Sequence, residues 1–178
     1  MERVPFRVTT AAKAYDHIDK LPVSLLLDNI RSMYNVGSFF RTADGAGVES
    51  LYLSGITARP PKSAITKTAL GAEDAVPWHP SDNAIETVDT LRTRGYEIAA
   101  IETAVTAVDL YDWRPKWPVL LLFGHEVDGI GDDLLNRCDT FVRLPMLGVK
   151  HSLNVSNAAA IVLYELLRKY RRGHSRSH

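Results

Sequence analysis

The sequence predicts an α/β domain built on a mainly parallel sheet flanked by helices. Two observations carry this expectation. Short apolar runs lack the in–out alternation of a half-exposed sheet, as in Val119-Leu120-Leu121-Leu122-Phe123. Between them lie stretches with the 3.6-residue period of helices, so strands and helices alternate along the chain. Length sets the scale. With 178 residues, 46% of them hydrophobic, there is core for one ordinary domain and little room for a second, so 1–178 reads as a single domain.

Strands are expected at 23–28, 48–54, 97–102, 118–124 and 140–144. A helix is expected over 83–94, where Ala84, Ile85, Val88 and Leu91 share a face and Gly95 follows as a C-terminal glycine. The last helix, 154–170, is the clearest. Val155, Ala158, Ala159, Val162, Leu163, Leu166, Leu167 and Tyr170 form one apolar stripe. Ile161 and Tyr164 fall off that stripe, which suggests a second buried flank. Segments 57–62 and 111–118, rich in proline, read as ordered loops. A short N-terminal segment, 1–21, precedes the first strand. A basic tail, 168–178, closes the chain and is expected to be disordered from Gly173.

Composition excludes some classes. No run approaches the ~18 apolar residues of a membrane span, and the first ten residues have no signal-peptide core. Cys138 is the only cysteine, so no intrachain disulfide is possible, which suits a soluble, cytoplasmic protein. Net charge is zero but segregated. Positions 73–112 carry nine acidic and two basic residues, 31–67 five basic and two acidic, and 168–178 five basic and none acidic. Such segregation is a nucleic-acid footprint only if the fold gathers the cations on one face; a solvated surface explains it equally.

Three segments look like chemistry. The first runs from Asp28 through Asn35 and Arg41 to Ala43. It leaves the carboxyl end of a strand, where open α/β sheets bind ligands, and Asn35 is a candidate N-cap. Arg41 falls about two turns into the helix, free to reach back to the sheet edge. The second is Phe123-Gly124-His125-Glu126-Val127-Asp128-Gly129, a strand running into a glycine turn that lets backbone approach a ligand. His125 has no partner at metal-ligand spacing and reads as a loop histidine. The third passes from Leu144-Pro145-Met146 to Ser152-Leu153-Asn154, where Ser152 or Asn154 can cap the last helix. Each segment alone is also explained by capping and turn structure.

Together and in this order, the segments resemble the three motifs of the SpoU/TrmH-type RNA 2′-O-ribose methyltransferases of the SPOUT superfamily. Asn35 to Arg41-Thr42-Ala43 is similar to motif 1, and Phe123-Gly124-x-Glu126-x-x-Gly129 to motif 2. Leu144-Pro145-Met146 through Ser152-Leu153-Asn154-Val155-Ser156 is similar to motif 3, and the resemblance covers roughly residues 22–168. It implies a C-terminal trefoil knot, which topology rules alone would not suggest. It also implies a homodimer with its pocket at the subunit interface, and RNA (tRNA or rRNA) as the substrate. S-adenosylmethionine is the implied cofactor, bound by Thr103, Gly124, Leu144, Met146 and Leu153, with no metal.

The resemblance makes Arg41, Asn35, Glu126, Ser152 and Asn154 the catalytic set. The family is usually described with the arginine as base. A guanidinium keeps its proton at neutral pH, so a clamp that orients the hydroxyl and stabilises developing negative charge is the better physical role. A non-catalytic RNA-binding module, a base-nitrogen methyltransferase and an unrelated α/β metabolic enzyme are the alternatives. Retention of Asn35, Arg41, Glu126 and Ser152 as a set speaks against the first, and the Asn-to-Arg pair of motif 1 against the second.

Overall fold

A computed structural model describes residues 20–174 of the chain. Most of the N-terminal segment 1–21 and the last four residues of the tail lie outside the described residues.

Seven strands form one sheet in which every pairing is parallel: β1 (Leu21–Asp28), β2 (Val48–Ser54), β3 (Trp78–Ser81), β4 (Glu97–Ile101), β5 (Val108–Asp109), β6 (Val119–Phe123) and β7 (Thr140–Arg143). Their order across the sheet is β3-β2-β1-β6-β4-β7-β5. The helices are α1 (Met33–Ala46), α2 (Ser63–Ala69), α3 (Ala84–Thr93), α4 (Asp132–Leu135) and α5 (Val155–His174).

The unbroken apolar runs are explained by burial on both faces. Along β6, Val119, Leu121 and Phe123 enter a core shared with α1, α2 and α5, while Leu120 and Leu122 enter a second core with Val88, Leu91 and Leu134 of α3 and α4. Period-two alternation therefore separates two apolar layers rather than core from water. Phe39 of α1 meets Phe123 edge-to-face at 5.1 Å, fixing α1 against β6.

The expected strands are present with ends displaced by no more than two residues. The expected helix 83–94 is α3, whose cap Asn83 accepts from Ile85 N at 3.0 Å. Gly95 follows with φ +88°, a left-handed position that suits glycine. Segments 57–62 and 111–118 are loops, with cis peptides at Pro60-Pro61 and Trp117-Pro118. One correction concerns the tail: α5 continues through Gly173 to His174, so the helix outlasts its apolar stripe. Its closing run of Lys169, Arg171 and Arg172 suits the negative end of a helix dipole.

The sheet register brings the functional segments together. Leu27 of β1 aligns with Leu53 of β2 and Phe123 of β6, Ala100 of β4 with Leu122, and Ile101 with Val142 of β7. The turns after β1, β6, β4 and β7 therefore share one edge.

Candidate active site

The site begins at the turn after β1. Asn29 adopts φ +57°, which asparagine tolerates, and its Oδ1 accepts from Ile56 N at 3.2 Å. The next peptide is fixed too, with Ile30 N donating to Thr57 Oγ1 at 2.9 Å. The chain thus enters α1 on a set course. Here the sequence reading needs correction: the N-cap is Ser32, whose Oγ accepts from Asn35 N at 3.3 Å. The helix starts at Met33, so Asn35 falls in its first turn and its side chain is free for other work.

That side chain joins all three motif segments. Asn35 Nδ2 donates to Glu126 Oε1 at 2.9 Å, and Asn35 Oδ1 accepts from Asn154 Nδ2 at 3.1 Å. Glu126 also accepts from the backbone N–H of Arg31 at 2.9 Å and of Ser32 at 3.1 Å. Partial burial pushes the Glu126 carboxyl upward, but these three donors outweigh it and hold the group below its ordinary value. Asn154 caps α5, its Oδ1 accepting from Ser156 N at 3.0 Å and Ser156 Oγ at 2.7 Å. Ser156 Oγ also lies 3.5 Å from Asn35 Oδ1. The sequence reading did not single out Ser156, though its place two residues past a capping asparagine is a usable signal.

Two residues of the expected set stand outside this network. Ser152 is exposed, hydrogen-bonds to nothing among the described residues, and leaves the cap to Asn154. Arg41 is exposed on α1, and its side chain makes no hydrogen bond or ion pair among the described residues. It lies six positions past Asn35 on the helix, about 9 Å along the axis and roughly 120° around it. It shares a face with Gly45, where an added Cβ would lie 2.9 Å from the Tyr164 hydroxyl of α5. Arg41 therefore stands on the outer α1–α5 surface, where Tyr164 is 53% and Ile161 39% exposed.

The expected cofactor residues gather on the adjacent strand ends. Gly124 follows β6, Thr103 lies just past β4, and Leu144 follows β7, all neighbours in the sheet. Gly124 is required by packing of the loop on itself, since a Cβ there would lie 2.3 Å from Gly129 O. His125 belongs to the same turn, exchanging backbone hydrogen bonds with Gly129 at 3.0 and 2.9 Å. Leu144 and Met146 are half-buried, while Leu153 is 40% exposed. From 146 to 153 no hydrogen bond ties the loop to the rest of the described residues, so its peptide groups are available to a ligand. Glu102, the residue before Thr103, ends the apolar run of β4, and nothing local in the sequence marks it further.

A family model described as the SpoU rRNA Methylase family matches residues 22–164. The chain belongs to the SpoU family. A Staphylococcus haemolyticus protein assigned to the TrmH family of tRNA/rRNA methyltransferases is 32% identical over 149 residues, 84% of this chain and 59% of the relative. The chain thus spans about three fifths of the length of such relatives. Among solved structures, the SpoU methyltransferase AviRb of Streptomyces viridochromogenes, in complex with AdoMet, aligns with a TM-score of 0.80 and 27% identity. The alignment covers 88% of this chain and 63% of that one. An RNA 2′-O ribose methyltransferase aligns with a TM-score of 0.74 and 26% identity, covering 94% of this chain and 62% of the other. Membership explains why motifs separated by 91 to 121 residues converge on Asn35. No helix among the described residues is long and apolar enough to cross a membrane.

Proposed function

We propose that this chain is an S-adenosylmethionine-dependent RNA methyltransferase acting on a ribose 2′-hydroxyl of tRNA or rRNA. The observation that carries the proposal is the Asn35 node, where the SpoU motif segments meet at the carboxyl edge of the sheet. The AdoMet complex of AviRb and the 2′-O ribose activity of a second structural neighbour support cofactor and acceptor.

The residues present fit the cofactor. Unpaired peptide groups between 146 and 153 can read the polar edge of adenine, and half-buried Leu144 and Met146 can cover its faces. Thr103, Gly124 and Leu153 flank the same space. When bound, S-adenosylmethionine supplies an electrophilic methyl group on a sulfonium sulfur. The protein's task is to present the ribose oxygen in line with it. Glu126, bonded to the backbone at Arg31 and Ser32, fixes Asn35; Asn35 and Asn154 form the floor on which the nucleotide rests, with Ser152 at its rim. Reaching across a subunit interface, Arg41 grips the phosphate beside the 2′-hydroxyl, and its cationic fork stabilises the oxygen as its proton passes to water.

We place this pocket at a homodimer interface. The Arg41 side chain finds no partner among the described residues, and the α1–α5 surface around it exposes Ile161 and Tyr164. A second subunit on that surface would bury both and give Arg41 a site to complete. By family likeness we also read the loops after β6 and β7 as parts of a trefoil knot, and from its single cysteine, Cys138, we read the protein as cytoplasmic.

Arg41→Ala tests the catalytic role. Methyl transfer to bulk RNA should fall at least about a hundredfold, the size of one preorganised electrostatic group. Calorimetric binding of S-adenosylhomocysteine should be unchanged. Arg41→Lys should fail largely as well, since an ammonium lacks the planar fork. Near-wild-type transfer by Arg41→Ala would remove Arg41 from the mechanism.

A further inference from the structure

We propose that Glu102 is the acceptor for the ribose diol of the cofactor; the inference rests on the S-adenosylmethionine reading above. Glu102 directly follows β4, the strand between β6 and β7. Its backbone is pinned, with N–H donating to Val142 O of β7 at 3.0 Å. Its side chain is pinned as well: Oε1 accepts from Thr103 N at 2.9 Å and lies 3.4 Å from Thr103 Oγ1. The other oxygen is left over. Oε2 points at the glycine turn after β6, where a Cβ added to Gly129 would lie 2.8 Å away. Among the described residues Oε2 has no hydrogen bond and Glu102 has no ion pair. A carboxylate oxygen is thus held in place against bare backbone, with its lone pairs unused.

Position along the sheet edge selects the ligand group. From β1 to β7 the edge carries the Asn35–Glu126 node, Gly124, Glu102, and then Leu144 with Met146. The transferable methyl must face the node, and the unpaired loop after β7 suits adenine. The ribose joins those two parts of the molecule, so it falls at the strand between them, β4. Its vicinal hydroxyls are donors that need an acceptor, and a carboxylate is the usual partner for a cofactor ribose at a strand end. Glycine at 129 keeps that oxygen uncovered.

The test is calorimetry on wild type, Glu102→Gln and Glu102→Ala. The probes are S-adenosylhomocysteine, 5′-methylthioadenosine, which lacks the amino-acid end, and the 2′-deoxy and 3′-deoxy forms of the latter. Both variants should bind S-adenosylhomocysteine and methylthioadenosine about tenfold more weakly, the size of one charge-assisted hydrogen bond. At least one deoxy probe should bind wild type about tenfold more weakly than its parent yet show no such deficit in Glu102→Ala. Unchanged affinity for methylthioadenosine with weakened S-adenosylhomocysteine would assign the carboxylate to the ammonium end and overturn the proposal. Wild type binding the deoxy probes as tightly as the parent would overturn it without any variant, even if Glu102→Ala fails to fold. Wild type binding neither parent ligand would instead remove the cofactor reading itself, and this inference with it.

Discussion

Glu126→Ala removes the one acceptor on which Arg31 N, Ser32 N and Asn35 Nδ2 converge, at 2.9, 3.1 and 2.9 Å. A hydrogen bond to a charged group contributes about 1.5–3 kcal/mol when shielded. Glu126 is exposed, so water competes for all three donors and the contribution shrinks severalfold. The expected loss is about 2 kcal/mol at pH 7, a fall in Tm of about 4–8 °C for a domain of this size. The dependence on pH is distinctive. The folded-state pKa lies below the ordinary 4.5, so the unfolded chain takes up its proton first as pH falls. The stabilisation is complete above about pH 5.5 and is lost as pH falls through the folded value. Denaturant unfolding of wild type and Glu126→Gln at pH 7, 5 and 3.5 reads this directly: the gap between them should be widest at pH 7 and narrow at 3.5. A gap that is constant with pH, or a change below about 0.5 kcal/mol in Glu126→Ala, would mean that the charged carboxylate does not hold the turn after β1 in place.

Gly37→Ala should destabilise by about 2–3 kcal/mol in a urea melt, because its Cβ would lie 2.0 Å from Thr68 Oγ1 and 2.3 Å from Ile65 O, and the α2 backbone cannot yield as a side chain can. A variant as stable as wild type would mean that α1 and α2 separate freely. Tyr164→Lys and Ile161→Lys should each weaken the proposed dimer at least about tenfold by sedimentation equilibrium, since an unpaired charge is costly to bury. Lysine variants that assemble like wild type would move the interface elsewhere.

The parallel sheet was legible because β1, β2, β4, β6 and β7 are runs whose two faces both meet apolar layers. What escaped the sequence was short or lay at an edge. Strand β3 reads Trp78-His79-Pro80-Ser81, and its proline and histidine hide it; an edge strand can carry a proline because it need not donate on its outer side. Strand β5 is two residues long, and α2 at seven residues shows too few turns for a period. At the site, the motifs pointed to Asn35, Glu126 and Asn154, but capping preference assigned Asn35 to the wrong task. Ser32 and Asn35 are both good caps; the cap falls to Ser32, and the Asn35 side chain turns to Glu126, 91 residues away in sequence. Glu102 was hidden for a related reason. Its interest comes from the missing side chain at Gly129, in the turn after the neighbouring strand β6, a relation that no local pattern contains.

In the proposed reaction the methyl group goes to a ribose oxygen of RNA. The purified protein should be incubated with tritium-labelled S-adenosylmethionine and tRNA or ribosomal RNA, and the RNA then digested to nucleosides and separated by chromatography. Label should elute with 2′-O-methylnucleosides, and alkaline hydrolysis should leave it in dinucleotides, because a methylated 2′-oxygen cannot attack the neighbouring phosphate. Label on a base-methylated nucleoside, released by alkali as a mononucleotide, would contradict the account.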